Sequence, residues 1–334
     1  MNKQYSRLTA EDREIISRMV SQHHSCAAIA RRLKRHRSTI VREIAHGSRI
    51  KNEYSAVRSH EQAQERASQR HLQRKLDNPK LWKFVCEKLT LRWSPEQIAR
   101  VLQETYPGQT AMNLSHESIY TYIYLLPKGS LKKELIHYLR QHKKKRKNRK
   151  RSTDTRGSIP NMISIEERPA EVAERSVPGH WEGDLLMGKR HASALGSVVE
   201  RTTRTVILVP LKAKDATSVR RSFARELKSL PRQMRLSMTY DRGKEMAEHE
   251  LFTKHTKMQV YFCHPQSPWE RGTNENTNML IRQFFPKGTD FTKLSRREIK
   301  HVQKLLNERP RKALDFATPK ETFNQLINSV ALKT

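Results

Sequence analysis

Cysteine is scarce in this chain of 334 residues, and the few that occur form no CxxC pair. The three are Cys26, Cys86 and Cys263. Three scattered cysteines cannot build a disulfide framework. The Cys263-His264 pair, standing alone, also lacks the spacing of a zinc site. The chain is therefore expected to work in a reducing compartment without structural disulfides.

Long apolar runs are also missing. No stretch approaches the roughly 20 apolar residues that a membrane-spanning helix requires. The first residues include Tyr5, Arg7 and Glu11, where a secretory signal would be apolar. We expect no membrane span and a cytoplasmic protein.

Acidic residues are few compared with basic ones. The chain has 34 Asp and Glu against 66 Lys and Arg, a formal charge of +32 and a pI of about 10.4. Both halves of the chain are basic, so the excess does not come from one tail. A solvated basic surface would explain any single cluster. Basic charge throughout the chain favours a polyanionic partner, and nucleic acid in particular.

A compact helical pattern occupies the first fifty residues. The stretch "LTAEDREIISRMVSQHHSCAAIARRLKRHRSTIVREI" places N-cap residues at Thr9 and Ser25 ahead of apolar stripes, which predicts three short helices. Their spacing is typical of a helix-turn-helix, whose last helix enters the DNA major groove. An ordinary three-helix bundle is the alternative. Candidate DNA contacts are Arg37, Ser38, Thr39 and Arg42.

A second helical pattern follows in "WSPEQIARVLQETYPGQTAMNLSHESIYTYIY". Ser94 begins a capping box with Pro95 at the first helical position, and Ser115 caps a further helix. The outer face of that helix carries His116 and Ser118 as candidate DNA contacts. Two such modules would grip a longer site than one.

The pattern divides the chain into five parts. They are a helix-turn-helix domain at 1–50, a connecting helix at 51–78, a second helix-turn-helix-like domain at 79–139, a basic linker at 140–175 and a catalytic core at 176–334.

The linker begins with "RQHKKKRKNRKR", in which nine of twelve residues are Lys or Arg. Like charges at this density repel, so the segment cannot fold alone. We interpret it as an arm that adds salt-sensitive affinity for DNA without reading sequence, although a solvated linker is an alternative. The arm residues named as DNA contacts are Lys143, Lys144, Lys145, Arg146 and Lys147.

After Pro178 the pattern changes to short β-branched runs bounded by turn residues. The predicted order is strand, strand, strand, helix, strand, helix, strand, helix. The first three strands are expected to be antiparallel. This succession is that of the α/β ribonuclease H-like fold, a mixed five-stranded sheet with helices on its faces.

Three acidic residues fall at positions that this fold would bring together. Asp184 lies within the first strand, Asp241 at the end of the fourth, and Glu275 near the start of the last helix. In a basic protein, clustered carboxylates repel one another unless cations lie between them. Oxygen ligands suit Mg²⁺ or Mn²⁺. Two such ions would support in-line displacement at phosphorus. Glu182 and Glu270 are the alternatives for two of these positions.

Several neighbours are candidates for supporting roles. Arg282 lies two helical turns after Glu275 and is predicted to hold a DNA phosphate. The tryptophans, Trp181 and Trp269, are interpreted as packing residues. The asparagines that could orient the site are Asn274, Asn276 and Asn278.

The motifs "HWEGDLLMG", "MTYDRGKEMAEH" and "HPQSPWERGTNENTNMLIRQFFPKG" resemble those of the insertion-sequence-thirty family of bacterial DDE transposases, which are relatives of retroviral integrases. The 33 residues between positions 241 and 275 match the spacing of that family. The resemblance covers nearly the whole chain and implies that Asp184, Asp241 and Glu275 form the catalytic triad. Two positions depart from it: Arg242 replaces the usual Asn of Asp-Asn-Gly, and Met279 stands where Gly is common.

The resemblance implies a transposase that binds the terminal inverted repeats of its own element. It would cut and join DNA strands with two Mg²⁺ or Mn²⁺ ions per site. The partners would be double-stranded DNA and further copies of the chain, as a dimer or higher assembly, in the nucleoid of a bacterial cytoplasm. One alternative is a sequence-specific repressor with an inactive core, and another is a nuclease that only hydrolyses.

Overall fold

The computed structural model describes residues 7–47, 54–76, 78–126, 129–139, 159–265 and 267–331. The chain separates into two compact units, Met1–Lys83 and Phe84–Thr334. The predicted arm, with Lys143 to Lys147, lies outside the described residues.

The first unit is helical. Its helices are α1 (Ala10–Ser21), α2 (Cys26–Arg32), α3 (Arg37–Gly47) and α4 (Ala56–Leu76). Thr9 and Ser25 accept backbone N–H groups at the starts of α1 and α2, because each exposed helix N-terminus needs an acceptor. Ile16, Ile29 and Ile40 form the core of this unit. The three helices predicted from sequence are thereby confirmed.

Four more helices precede the sheet: α5 (Pro79–Thr90), α6 (Pro95–Thr105), α7 (His116–Leu125) and α8 (Ser130–Tyr138). The capping box at Ser94 and the cap at Ser115 both form as predicted. Gln97 at the start of α6 donates through Nε2 to the carbonyl of Pro310, 2.5 Å away, and accepts from Arg309 Nε at 3.0 Å. Helix α6 therefore docks onto the catalytic core, in the same compact unit.

The core is built on one five-stranded sheet. Its elements in chain order are α9 (Ala170–Glu174), β1 (His180–Met187), β2 (Ala194–Glu200), β3 (Val206–Pro210), α10 (Ala216–Lys228), β4 (Ser237–Tyr240), α11 (His249–Thr256), β5 (Gln259–Phe262), α12 (Gly272–Ile281), α13 (Arg296–Asn307) and α14 (Pro319–Ala331). The strand order is β3-β2-β1-β4-β5. Strands β1, β2 and β3 pair antiparallel, whereas β4 pairs parallel with β1 and with β5. This arrangement confirms the predicted ribonuclease H-like fold.

Helices cover both faces of the sheet. Phe223 of α10 and Phe252 of α11 belong to one buried cluster with Trp181 of β1. On the other face, Leu280 of α12 and Leu306 of α13 pack in a second cluster. The sheet is thus the middle layer of three, which fixes where its strand ends emerge.

The two outer strands have their edges covered. Along β3, Asn307 exchanges two hydrogen bonds of 2.9 Å with the backbone of Val206, and Gln303 accepts from Leu208 N at 2.9 Å. Along β5, Phe262 N donates to the carbonyl of Ile163 at 2.9 Å. Side chains and a preceding segment therefore take hydrogen bonds that a further strand would otherwise use.

Two local predictions differ from the structure. The single helix expected from Lys244 onward is a 3₁₀ turn, Lys244–Met246, followed by α11. Residues 159–175, placed in the linker by the sequence pattern, pack on the core, where Ile159 and Val172 are buried. Burial of the apolar side chains of this segment in the core outweighs the preference of its turn-forming residues for an exposed loop.

Within the described part of the chain, no helix is long and apolar enough to cross a bilayer.

Candidate active site

Parallel pairing of β1 with β4 brings two carboxylates together. The register aligns His180 with Ser237 and Glu182 with Thr239. Continued by two residues, it sets Asp184 beside Asp241. Asp184 lies in the middle of β1, and Asp241 follows directly after β4. The predicted convergence of these two aspartates is therefore present.

Arg271 bridges the two aspartates. Its Nη1 lies 3.3 Å from Asp184 Oδ1 and its Nη2 lies 3.1 Å from Asp241 Oδ2. Nη1 also donates to the carbonyl of Gly183 at 2.8 Å. The Arg271 side chain is 13% exposed. Arg271 is absent from the residues predicted from sequence, and its place four residues before Glu275 is the signal that points to it.

The electrostatics of the pair follow from this geometry. Burial raises the pKa of Asp184, and the neighbouring charge of Asp241 raises it further, while Arg271 opposes both. Burial lowers the pKa of Arg271, but the charges of the two aspartates outweigh it and leave that pKa raised. The guanidinium therefore stays protonated and compensates two partly buried carboxylates.

Glu275 lies on the neighbouring helix but does not join the pair. Its side chain is exposed, and it makes no hydrogen bond or ion pair within the described residues. Glu275 and Asn278 are three residues apart, which places them on one face of α12, and Arg271 is the residue immediately before this helix. Asn278 Nδ2 donates to Asp184 Oδ2 at 2.7 Å, so this face is turned toward β1.

No group of three acidic, histidine or cysteine side chains in the described ranges is close enough to hold a metal ion. The structure thus assembles Asp184 and Asp241, and leaves Glu275 nearby on the facing helix.

A buried polar network fixes α12 against the sheet. Ser197 Oγ of β2 lies 3.1 Å from Asn274 Oδ1 and 2.8 Å from Asn278 Oδ1. Asn274 Nδ2 donates to the carbonyl of Glu182 at 2.8 Å. Asn274 and Asn278 thus orient the helix, as expected of them. Gly243 N donates to Asp241 Oδ1 at 3.2 Å and holds that carboxylate in turn.

The two alternative acids are already engaged elsewhere. Glu182 is fully buried, pairs with Arg201 at 2.5 Å and accepts from Asn274 N at 2.7 Å. It therefore anchors the first turn of α12. Glu270 accepts from His264 twice, from the backbone N at 2.8 Å and from Nδ1 at 2.7 Å.

The two tryptophans differ in their exposure to solvent. Trp181 is fully buried and donates through Nε1 to the carbonyl of Met234 at 2.7 Å, which confirms its predicted packing role. Trp269 is 72% exposed, so the packing role predicted for it is wrong. Trp269 sits in a 3₁₀ turn, Pro268–Arg271, and this turn presents its ring to solvent two residues before Arg271.

Arg282 and Arg242 both turn toward backbone carbonyls. Arg282 Nη2 donates to Met187 O at 2.8 Å. Burial lowers the pKa of Arg282, and the charge of Asp184 partly offsets this, which places Arg282 within the field of the site. Arg242 Nε donates to Cys263 O at 3.1 Å. Met279, the other unusual residue, is half exposed.

The candidate DNA contacts in the helical modules are partly available. Arg37 and Arg42 are exposed on α3, whereas Ser38 Oγ is bonded to His36 Nδ1 at 2.7 Å and Thr39 is half-buried. On α7, His116 is exposed, and Ser118 Oγ lies 2.8 Å from Ser115 Oγ in the helix cap.

The chain resembles known proteins over almost all its length. Residues 4–47 match the family model of a helix-turn-helix domain, and residues 174–268 match that of an integrase core domain. The transposase for insertion sequence element IS1086 of Cupriavidus metallidurans is 41% identical over 97% of this chain and 96% of its own. The transposase InsI for insertion sequence element IS30A of Escherichia coli K12 is 41% identical over 95% of this chain and 83% of its own.

One further relative and one solved structure match as well. The transposase for insertion sequence element IS4351 of Bacteroides fragilis is 36% identical over 96% of this chain and 96% of its own. The crystal structure of the catalytic core domain of BIV integrase covers 46% of this chain and 98% of its own, at 15% identity and a TM-score of 0.36. With 41% identity across nearly its entire length, the chain belongs to the IS30 family of insertion-sequence transposases.

Proposed function

We propose that this protein is a DDE transposase that binds the terminal inverted repeats of an insertion element, cleaves DNA strands there and joins them to target DNA. The observation that carries the proposal is the nearness of Asp184, in the middle of β1, to Asp241, directly after β4, with Glu275 on the helix that faces them. Clustered carboxylates in a protein this basic are a feature of metal-dependent phosphoryl transfer.

The residues present fit divalent cations. Asp184 and Asp241 offer carboxylate oxygens, the ligand type that Mg²⁺ and Mn²⁺ prefer. The guanidinium of Arg271 lies between them, which indicates that this position calls for positive charge. We propose that Asp184, Asp241 and Glu275 together hold two such ions. When bound, the ions would activate the attacking oxygen and stabilise the leaving one.

The chain's own side chains would prepare this site. Asn278 holds one oxygen of Asp184, and Gly243 N holds one oxygen of Asp241, which leaves each carboxylate with a second oxygen toward Arg271. For Glu275 to share a cation with the aspartates, the Arg271 side chain must withdraw from between them. DNA phosphates are natural new partners for the released guanidinium.

DNA recognition is proposed to involve both helical modules and the arm. Arg37 and Arg42 on α3 are positioned for base edges or phosphates in the major groove. Exposed aromatic rings stack on unpaired bases, so Trp269 is proposed to support a DNA end beside the aspartates. Cleavage and joining of two ends together would require a dimer or higher assembly on DNA.

A cleavage and strand-transfer assay tests the proposal. The full chain would be incubated with duplex DNA carrying the element's inverted repeats, with Mg²⁺ or Mn²⁺. Asp241→Asn should bind this DNA normally but lose cleavage by at least about a thousandfold, since it removes a carboxylate required for charge stabilisation. Asp215→Asn is the matched control, because Asn also caps a helix well and α10 keeps its N-cap.

Two other results would favour different functions. Cleaved ends that are never joined would indicate a nuclease that only hydrolyses. Specific binding of the ends by the wild-type chain, without any metal-dependent cleavage, would indicate a repressor with an inactive core.

A further inference from the structure

A cavity of about 540 Å³ lies on the side of α12 away from the aspartates. The N-terminus of α6, the residue after α9, the turn between β2 and β3, and the segment after α13 all contribute to its wall. Helix α12 itself contributes Thr273 and Asn276. A volume of this size lies in the range of cavities that hold small ligands.

The lining of the cavity is strongly cationic. Arg175, Arg204, Arg311 and Lys312 line it, and Glu96 is its one acidic side chain. Glu96 is already paired with Lys312 at 2.6 Å. The lining therefore carries a net positive charge that its own carboxylate does not neutralise.

Arg204 is the most unusual of these cations. Its Nη1 donates to the neutral Thr273 Oγ1 at 2.8 Å, its Nε is buried without a partner, and it forms no ion pair within the described residues. Burial lowers the pKa of Arg204, and the charge of Arg175 lowers it further, while the charges of Glu182 and Glu200 partly offset both. Buried arginines are ordinarily paired. Four other arginines of low exposure lie against carboxylates, namely Arg13, Arg201, Arg220 and Arg271, whereas the more deeply buried Arg309 donates to the side-chain oxygens of Gln97 and Gln283.

Arg175 adds a second positive charge beside it. Its side chain makes no hydrogen bond or ion pair in the part of the chain that the structure describes. The backbone at Arg175 and at Arg204 is left-handed, with φ of 59° and 61°. Residues other than Gly, Asn and Asp seldom adopt this backbone conformation, which often occurs at functional positions. Two like charges held together at the wall of one cavity are best stabilised by an anion between them.

The position of the cavity, across α12 from the aspartates, favours a DNA phosphate as the bound anion. Glu275 and Asn278 occupy the face of α12 toward the aspartates, whereas Thr273 and Asn276 occupy the face toward the cavity. The two sites are separated by one helix, about 10 Å across. Phosphates recur along a DNA strand at shorter intervals than this. DNA that reaches the aspartates therefore carries further phosphates within reach of the cavity.

We infer that this cavity binds a backbone phosphate of DNA through Arg175 and Arg204, away from the phosphate that is cut. The inference rests on the proposed function, because it presupposes a DNA substrate. Thr273 and Asn276 supply neutral hydrogen-bonding groups beside the two guanidinium groups. Such a contact positions the strand and reads no sequence.

The double variant Arg175→Gln/Arg204→Gln tests the inference. Fluorescence anisotropy with labelled duplexes, over a salt series, would measure its affinity for DNA. The affinity should fall roughly tenfold, equally for end sequences and unrelated sequences, and the slope of log affinity against log salt should shrink by about 1, since one phosphate contact is lost. Arg297→Gln, which removes an exposed arginine of α13, is the matched control. Unchanged affinity and slope in the double variant would overturn the inference.

Two further measurements distinguish a failure of this inference from misfolding of the double variant and from binding of free phosphates. Arg175→Gln alone disturbs no hydrogen bond of the fold and should reduce the affinity and the slope in the same direction as the double variant but by less, even if the double variant folds poorly. Pyrophosphate that raises the melting temperature of the wild type but not of the double variant, with DNA affinity unchanged, would mean a site for free phosphates and would overturn the inference. Failure of the wild type to cleave DNA would count against the proposed function, while cavity-dependent DNA binding would still stand.

Discussion

At the residue scale, Arg271 decides the electrostatic state of the site. Two carboxylates side by side are unfavourable, and the guanidinium bound to both removes that cost. Hydrogen bonds that link a charged donor to a charged acceptor are stronger than neutral ones. Arg271 therefore stabilises the fold while it occupies the place proposed for cations.

Arg271→Gln should lower the free energy of unfolding by about 2 kcal/mol in the presence of EDTA, because the aspartates lose their compensating charge. Mn²⁺ should restore part of that loss, since it supplies the missing charge, and calorimetry should show tighter Mn²⁺ binding than in the wild type. Arg297→Gln should leave both quantities unchanged. A variant as stable as the wild type, with equal Mn²⁺ affinity, would exclude the competition between Arg271 and cations.

His180, at the start of β1, is a second residue with a measurable signature. It is buried, hydrogen-bonded to Ser237 Oγ at 2.7 Å, and its pKa is lowered from 6.5 to about 4 by burial and by the charges of Arg201 and Arg168. The unfolded chain therefore binds this proton more readily than the folded one. The contribution of neutral His180 to stability is present above pH 6.5 and is lost as the pH falls toward 4.

His180→Gln should remove this part of the pH dependence, on the order of 3 kcal/mol across the window. Urea unfolding between pH 4 and pH 7 would measure it. The exposed His301→Gln should retain the wild-type profile. Parallel profiles for wild type and His180→Gln would show that His180 is protonated equally in both states.

At the element scale, the capped helices and the succession of strands and helices could be predicted from sequence. The signals were local: Thr9, Ser94 and Ser115 stand directly before apolar stripes, and the cap hydrogen bonds depend on three residues each. The nearness of Asp184 to Asp241 followed from the ribonuclease H-like fold that this succession indicates. The bridge by Arg271 and the exposure of Trp269 could not be predicted in this way, because both depend on how the turn before α12 lies against β1.

The contact between β1 and β4 is tight at Gly183. A Cβ there would lie 2.7 Å from the ring of the fully buried Tyr240. Gly183→Ala should therefore lower the free energy of unfolding by about 1 to 3 kcal/mol. It should also reduce cleavage at temperatures where the variant is folded, since the aspartate spacing depends on these two strands.

Gly272→Ala is the matched control for stability. A Cβ at Gly272 meets nothing within 4 Å, and the residue lies in α12, so the substitution should be neutral or stabilise by up to about 1 kcal/mol. Urea unfolding measures both variants. Equal stability of Gly183→Ala and the wild type would show that β1 and β4 can move apart without a loss in the free energy of unfolding.

At the scale of the whole molecule, the formal charge of +32 makes affinity for DNA depend steeply on salt. The arm is expected to contribute strongly because its charges are contiguous in sequence. Contacts of this kind release counterions from DNA and carry no sequence information.

Replacement of the arm residues by Gln should shrink the slope of log affinity against log salt by about 3 to 5, since each lost phosphate contact contributes about 0.9. The residues to replace are Lys143, Lys144, Lys145, Arg146 and Lys147. Anisotropy titrations would measure the slope. A version with Arg at the four lysines keeps the charge and should keep the slope. An unchanged slope in the Gln version would show that the arm does not contact phosphates.

The coverage of the sheet edges limits how copies of this core can associate. Asn307 and Gln303 occupy hydrogen-bonding groups of β3, and Ile163 occupies one of β5. Joining two sheets into one continuous sheet would first require these hydrogen bonds to be broken. If copies of the core associate on DNA as proposed, their contacts would therefore involve helical surfaces or the DNA itself, and the engaged edges also disfavour fibril-like stacking of folded chains.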